Sequence, residues 1–266
     1  MDYLDELESK TIYIVREAYF RFKKMALLWS IGKDSTSLLW MVRKAFFGKI
    51  PFPVVHIDTG YKFQKIYEFR DKYSKEWGLE LVISKNEKAL ASGMSPKGSK
   101  MECCTMLKTQ ALKETIAQEN FEALLLAIRR DEHGIRAKER YFSPRKEDFQ
   151  WNYHDQPAEL WELYKSKQDQ GEHLRIHPML HWTELNIWEY IYREKIPIVD
   201  LYLAKNGMRY RSIGCESCCA PVASNANSIK KILHELRTTN TAERSGRAQD
   251  KEDAYTMQKL RSLGYM

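Results

Sequence analysis

The chain has 266 residues, 43% hydrophobic and 30% charged, with a net charge of +7 and a pI near 9.0. That length can bury a good core, and no apolar run is long enough to span a membrane, which excludes membrane-spanning function classes. The acidic opening MDYLDELESK is unlike a secretory leader, so a cytoplasmic protein is expected, and the modest basic excess suits a polyanionic partner such as DNA.

Apolar positions from Leu4 to Phe22 predict an N-terminal helix over residues 1–24, closing in the basic run Arg21-Phe22-Lys23-Lys24, a favourable charge at a helix C-terminus. Met25 to Trp29 is then an apolar run that breaks at Ser30 and resumes with helical spacing at Leu38. This predicts a buried strand, a tight turn at Gly32, and a helix start beside the hydroxyls of Ser35, Thr36 and Ser37. Backbone N–H groups and the positive helix end there suit an anion. Lys33 adds a charge, and Asp34 can hold a metal ion or orient the loop. Spacing excludes a Walker loop, because no GxxxxGK[ST] pattern is present.

Pro53 to Asp58 reads as a short strand closed by Asp58-Thr59-Gly60, followed by a helix from Phe63 to Trp77 and a strand from Leu79 to Ser84. His56 sits inside its strand and is expected to be a packed, hydrogen-bonded histidine. Residues 85–102 are polar and lack a period, which predicts a loop. A helix from Leu107 to Gln118 and a strand from Phe121 to Ile128 follow. The exit of that strand carries Arg129, Arg130, Arg136 and Arg140, placed to meet an anion. Residues 143–173 read as an insertion, Leu174 to Pro178 as a strand, and Thr183 as the N-cap of a further helix. Alternating strands and helices of these lengths predict an α/β fold, a doubly wound and mostly parallel sheet, with an α-helical C-terminal region. The expected organisation is an N-terminal helix (1–24), an α/β domain (25–202) and a cysteine-containing region (203–266) packed on it.

All five cysteines lie in two clusters, Cys103-Cys104 and Cys215-x-x-Cys218-Cys219. Adjacent cysteines pair poorly, and four thiolates from CC plus CxxC suit zinc or an iron–sulfur cluster. Zinc sites more often use two CxxC knuckles, which tilts the expectation to iron–sulfur. Cys219 is left over, as a sulfur acceptor or a packed neighbour.

The segments SIGKDS (30–35), HIDTG (56–60), EFRDK (68–72), RRDE (129–132), RAKER (136–140), HWTELNIWEYIY (181–192), IPIVDLY (196–202), SIGC (212–215) and TNTAERSGR (239–247) together resemble the sulfonucleotide reductase and ATP sulfurylase small-subunit family of ATP pyrophosphatases. The resemblance implies ATP and Mg²⁺ as cofactors, with the loop holding the β- and γ-phosphates while a substrate oxygen attacks the α-phosphate. It implies catalytic roles for Lys33, Asp34, Arg129 and Arg130. Nucleotide contacts are implied for Ser30, Gly32, Ser35, Thr36, Asp58, Thr59, Gly60, Arg136, Arg140, Arg244 and Arg247. Cys103, Cys104, Cys215 and Cys218 fall where the assimilatory reductases ligate a [4Fe–4S] cluster, yet no cysteine follows Cys219 to act as the reductase nucleophile. The stretch Tyr202 to Ser212 is short where the sulfurylase subunit has an insertion.

An intact ATP-cleaving loop with cluster cysteines and no reductase nucleophile is similar to the ATP pyrophosphatase components of DNA phosphorothioation systems. The expected function is therefore adenylation of an oxyanion, foremost a DNA backbone phosphate, with sulfur supplied by a cysteine desulfurase or another pathway subunit. The alternative is the catalytic small subunit of ATP sulfurylase acting on sulfate, and the third a sulfonucleotide reductase.

Overall fold

A computed structural model describes residues 2–146, 148–164, 173–248 and 256–265. The first helix, α1 (Tyr3–Arg21), opens with a reciprocal capping box between Asp2 and Asp5, and Arg21 lies in its last turn. Strand β1 (Met25–Leu28) leads through the loop into helix α2 (Lys33–Ala45). Then come β2 (Val54–Ile57), α3 (Gln64–Glu76), β3 (Leu81–Ser84), α4 (Glu87–Ala91) and α5 (Lys100–Cys104). The predicted loop 85–102 thus carries a helix of its own, capped by the Asn86 side chain on the Ala89 N–H.

Between α5 and α6 (Ala111–Glu119) the chain winds as a π-helical segment, Thr105–Gln110. Strand β4 (Ala123–Leu125) follows, then β5 (Phe142–Arg145), β6 (His173–Ile176) and α7 (Glu184–Glu194). Thr183 caps α7 as expected, and Lys195 ends it in a left-handed conformation. A two-stranded ribbon, β7 (Met208–Arg209) and β8 (Val222–Ala223), precedes α8 (Ile229–Thr238) and α9 (Thr256–Ser262). The middle of the predicted insertion, 165–172, lies outside the described residues; its start supplies β5, which periodicity had not flagged because Pro144 interrupts the strand pattern.

The main sheet has the order β3-β2-β1-β4-β6-β5, parallel except for the antiparallel edge strand β5. It is the doubly wound α/β sheet read from the sequence. Strands β1, β2 and β4 are buried at every position, which is the continuous apolar run of a sheet covered on both faces. From β1 the chain runs outward to β3 and then returns to the other side at β4. The carboxyl ends of β1 and β4 are therefore the switch point, where the two following loops diverge and leave a crevice. Among the described residues, no helix is long and apolar enough to cross a membrane.

Candidate nucleotide site

The loop after β1 is pinned by two cross-links. The buried Trp29 indole donates to Thr36 Oγ1 at 3.1 Å, and the Ser30 and Ser35 hydroxyls meet at 3.0 Å. Ser35 Oγ also donates to the Gly32 carbonyl at 3.2 Å. The turn itself is made by Ile31, whose φ of +67° is a left-handed conformation that β-branched residues avoid. Gly32, expected to make the turn, has an ordinary φ of −73°. A Cβ there would lie 3.4 Å from Ser30 Oγ and 3.5 Å from Tyr202 Oη, ordinary contact. The strain sits one residue earlier than the glycine suggested.

An open cavity of about 1010 Å³, its mouth included, lies over this loop. Ser30, Gly32, Lys33, Asp34 and Ser35 line it from the loop and the start of α2, together with Glu132, Arg136, Arg244 and Arg247. Lys62, Lys108, Tyr202, Gly214 and Tyr265 complete the lining. Seven of the expected nucleotide and catalytic contacts on the loop and the 239–247 motif therefore converge, and Arg136 joins them.

The charges are arranged in two groups. Lys33 Nζ bonds Asp34 Oδ2 at 3.1 Å and also the Glu243 carboxylate. Arg129 is fully buried and spends its guanidinium on Asp34, Glu243 and, at 3.0 Å, Asp131. Burial works against the Arg129 charge, but Glu243, Asp131 and Glu132 outweigh it and hold the group above its usual range. Burial likewise opposes the Glu243 charge, and Arg129 and Lys33 pull it back below the usual carboxylate range. In the second group Glu132 pairs with Arg136 and, at 3.1 Å, Arg244. Arg211 bridges the Glu184 carboxylate at 2.6 Å and the Thr241 carbonyl at 2.5 Å, tying the 239–247 segment to α7.

The other expected contacts stand elsewhere. Arg129 lies behind the loop rather than in the cavity wall. Arg130 points over the Tyr141 ring at 5.1 Å, and Arg140 donates to the Pro157 carbonyl at 3.2 Å, so neither reaches the loop. Thr36 braces Trp29. Asp58 Oδ1 accepts from the Gly60 N–H and from Tyr67 Oη, both at 2.8 Å, a turn role, with Gly60 at φ +71°. Thr59 Oγ1 meets Cys215 Sγ at 3.2 Å. His56 is packed as expected, its Nδ1 2.9 Å from the Trp29 carbonyl.

The cysteine pairs come within electrostatic reach of each other beside the cavity. Burial pushes the Cys103 thiol up to about 11, and neighbouring Cys104, Cys215 and Cys218 add to it. Burial also raises Cys218, with Cys215 contributing. For Cys215 burial is outweighed by Lys108 and Lys62, which bring it below its usual value. Lys108 Nζ stands 3.8 Å from Cys104 Sγ and donates to Tyr265 Oη at 3.1 Å. Among the described residues no three His, Cys, Asp or Glu side chains converge on a single metal ion. Cys219 is half-buried and accepts from the Gly214 N–H at 3.1 Å and Arg247 Nη1 at 2.9 Å.

Four functional candidates escaped the sequence reading: Glu243, Tyr202, Lys62 and Lys108. Glu243 lies inside TNTAERSGR and Tyr202 ends IPIVDLY, while Lys62 stands two residues after HIDTG and Lys108 one helical turn after Cys104.

Residues 24–221 match the phosphoadenosine phosphosulfate reductase domain family. The chain is 39% identical to sulfate adenylyltransferase subunit 2 of Pseudomonas entomophila over 301 aligned residues, covering 100% of this chain and 98% of the relative. The corresponding protein of Colwellia psychrerythraea is 39% identical over 297, with 100% and 99% covered. Both aligned lengths exceed this chain, so the relatives carry residues it lacks. Among solved structures, the phosphoadenylyl-sulfate reductase of Candida auris superposes with a TM-score of 0.58 at 17% identity, covering 84% of this chain and 98% of that one. The FMN adenylyltransferase of Candida glabrata with ATP superposes with a TM-score of 0.58 at 16% identity, covering 98% and 83%. At these identities the likeness speaks for the fold alone.

Proposed function

The chain belongs to the phosphoadenosine phosphosulfate reductase domain family, and from that premise we propose that it cleaves ATP to AMP and pyrophosphate, adenylating an oxyanion, with sulfate as the acceptor. The observation that carries the reading is the convergence of Lys33, Arg136, Arg244 and Arg247 on one cavity over a strand-to-helix loop at the switch point. The loop and Lys33 would hold the departing β- and γ-phosphates and offset the charge that develops on the leaving oxygen. Arg136, Arg244 and Arg247 also line the cavity and would hold the incoming anion. Asp34, the loop carboxylate, would help hold Mg²⁺ by exchanging an ion pair with Lys33 or Arg129 for the metal, which would offset phosphate charge. The kinship with sulfate adenylyltransferase subunit 2 favours sulfate over DNA phosphate, which reverses the order the motifs alone suggested.

One observation keeps a second reading. Cys103, Cys104, Cys215 and Cys218 are all buried, with Lys108 Nζ 3.8 Å from Cys104 Sγ to offset thiolate charge. A four-iron cluster spreads its ligand sulfurs wider than a single ion does, and this donor set fits one, held by those four cysteines. Such a cluster supplies sulfur-ligated redox or sulfur-handling chemistry, which fits a sulfur-transfer pathway with a DNA backbone phosphate as acceptor.

The test is pyrophosphate release from ATP and Mg²⁺ with sulfate, with single-stranded DNA, or with neither, on protein purified anaerobically and assayed for iron and sulfide. Stimulation by sulfate supports the first reading. Iron-bearing protein stimulated by DNA alone overturns it in favour of the second, and no ATP cleavage under any condition sinks both.

A further inference from the structure

We infer that Glu243 is a positioning residue that holds the Lys33 ammonium in the place a phosphate would take, braced from behind by Arg129, and must withdraw for pyrophosphate or ATP to bind. The inference rests on the nucleotide reading of the loop. The Glu243 carboxylate contacts the Lys33 ammonium and the Arg129 guanidinium together. The three side chains are almost wholly enclosed, 1% exposed for Lys33, 0% for Arg129 and 7% for Glu243. While Glu243 holds the Lys33 ammonium, an anion entering the cavity cannot take that place on it.

Charge arithmetic points the same way. Two cations, Lys33 and Arg129, are in direct contact with three carboxylates, those of Asp34, Asp131 and Glu243. The Lys33 ammonium is already matched by two carboxylates, so a phosphate drawn in by Arg136, Arg244 and Arg247 can pair with it only where one of them gives way. One carboxylate has to leave. Asp34 is fixed next to Lys33 in the first turn of α2, and Asp131 is held by the Glu184 N–H at 2.7 Å. Glu243 comes from outside the sheet, on the 239–248 segment. That segment is anchored independently of Glu243 by Arg211 to the Thr241 carbonyl, by Arg244 to Glu132, and by the Ala220 N–H to the Gly246 carbonyl at 2.9 Å. Its backbone can therefore stay in place while the Glu243 side chain turns out.

Glu243 thus acts through Lys33. It sets the ammonium toward the loop and yields it to phosphate, so that the loop binds only anions able to outcompete an internal carboxylate. A single carboxylate-like anion would compete poorly, whereas a chelating di- or triphosphate brings several charges at once.

The experiment is calorimetric titration of inorganic pyrophosphate with Mg²⁺ into the full chain, its Glu243→Gln variant and its Glu243→Asp variant, with thermal melting of each. Removing the charge in Glu243→Gln is expected to tighten pyrophosphate binding at least tenfold even if the melting temperature falls. Glu243→Asp, which draws the carboxylate back by one methylene and is the variant surest to fold, is expected to tighten it by a smaller factor. A merely structural Glu243 would lower affinity and melting temperature together. Variants that bind no tighter than the wild type overturn the role of Glu243 and leave the nucleotide reading standing. A wild type that binds neither pyrophosphate nor ATP overturns both.

Discussion

The Lys33 backbone N–H donates to the Tyr202 hydroxyl at 2.9 Å, so a side chain 169 residues downstream holds the first residue of α2. Gly32 offers no side-chain cap, and Tyr202 fills that office from the stretch after α7. Its ring packs edge-on against Trp188 at 5.5 Å, which fixes the hydroxyl in depth. Tyr202→Phe keeps the ring and orphans the N–H, at about 1–3 kcal/mol. For a chain of this size each kcal/mol lowers Tm by about 2–4 °C. A melt by circular dichroism checks this, and pyrophosphate affinity should weaken alongside as the loop loosens; an unchanged Tm would show that water replaces the bond.

Lys33 and Thr36 lie one turn apart on α2 yet are expected to differ in their effect on turnover. Lys33→Ala removes the loop cation and should lower ATP-dependent pyrophosphate release by about 10²-fold or more, and Tm falls as well because the buried Glu243 loses one of its two partners. Thr36→Val leaves the Trp29 indole N–H without its acceptor in the core, at about 1–3 kcal/mol of stability, and should leave KM for ATP nearly unchanged. A coupled pyrophosphate assay and a urea melt on each variant separate the two. A large rise in KM for Thr36→Val would return that hydroxyl to the phosphate.

These contrasts indicate what the chain discloses by itself. The parallel strands were legible because Met25 to Leu28, Val54 to Ile57 and Ala123 to Leu125 are short apolar runs between helical periods. The loop was legible because strand, glycine, hydroxyls and helix start follow one another in sequence. What pattern reading missed is non-local. Glu243 meets Lys33 across 210 residues, and although it sits inside TNTAERSGR, only the arginines of that motif had the charge expected of a nucleotide contact. Arg129 and Arg130 are adjacent and look alike in sequence, but the alternation beyond β4 buries one behind the loop and turns the other onto Tyr141. The backbone strain at Ile31 has no signature, since composition assigns strain to the glycine beside it.

Two glycines of the C-terminal region separate packing from function. A Cβ on Gly246 would stand 2.3 Å from the Ala220 carbonyl oxygen, a backbone atom that cannot step aside. Gly246→Ala is therefore expected to displace the segment that carries Glu243, Arg244 and Arg247, lowering Tm and abolishing pyrophosphate binding together. A Cβ on Gly214 would meet Arg247 Nη1 at 2.3 Å, the far end of a flexible side chain. Gly214→Ala should cost little stability and instead push Arg247 off Cys219 and across the cavity, raising KM for the acceptor anion. Steady-state kinetics beside a thermal melt decide the point: equal loss of stability in both variants would mean that Arg247 cannot move.

Stability is expected to fall as the solution is acidified below pH 6.5, because His56, His173, His177 and His181 are held without their charge; burial lowers His181 to about 4, with the Leu7 carbonyl opposing and Lys10 adding to the shift. Burial lowers His56 to about 4, with Lys62 adding to the effect. Burial lowers His173 to about 2, helped by Arg175 and Arg145, and His177 to about 3, where Glu139 opposes the shift and Arg145 supports it. An unfolded histidine takes its proton near pH 6.5, whereas these folded ones wait until pH 4 or lower. Between those values the unfolded chain binds more protons than the folded one, so unfolding becomes easier as pH drops. The slope approaches about 1.4 kcal/mol per pH unit for each such histidine. Glu139 works in the same direction further down. Burial opposes its charge, but Arg145, His177 and Arg261 hold it below the usual carboxylate range, so the stability it contributes above its unfolded value is lost as acid protonates it. Urea melts at pH 7.5, 6.0 and 5.0 measure the effect. His56→Gln, which removes one of the four histidine protons taken up on unfolding, should flatten the slope between pH 6 and 5, and a stability independent of pH across that range would show that the histidines are charged in the fold.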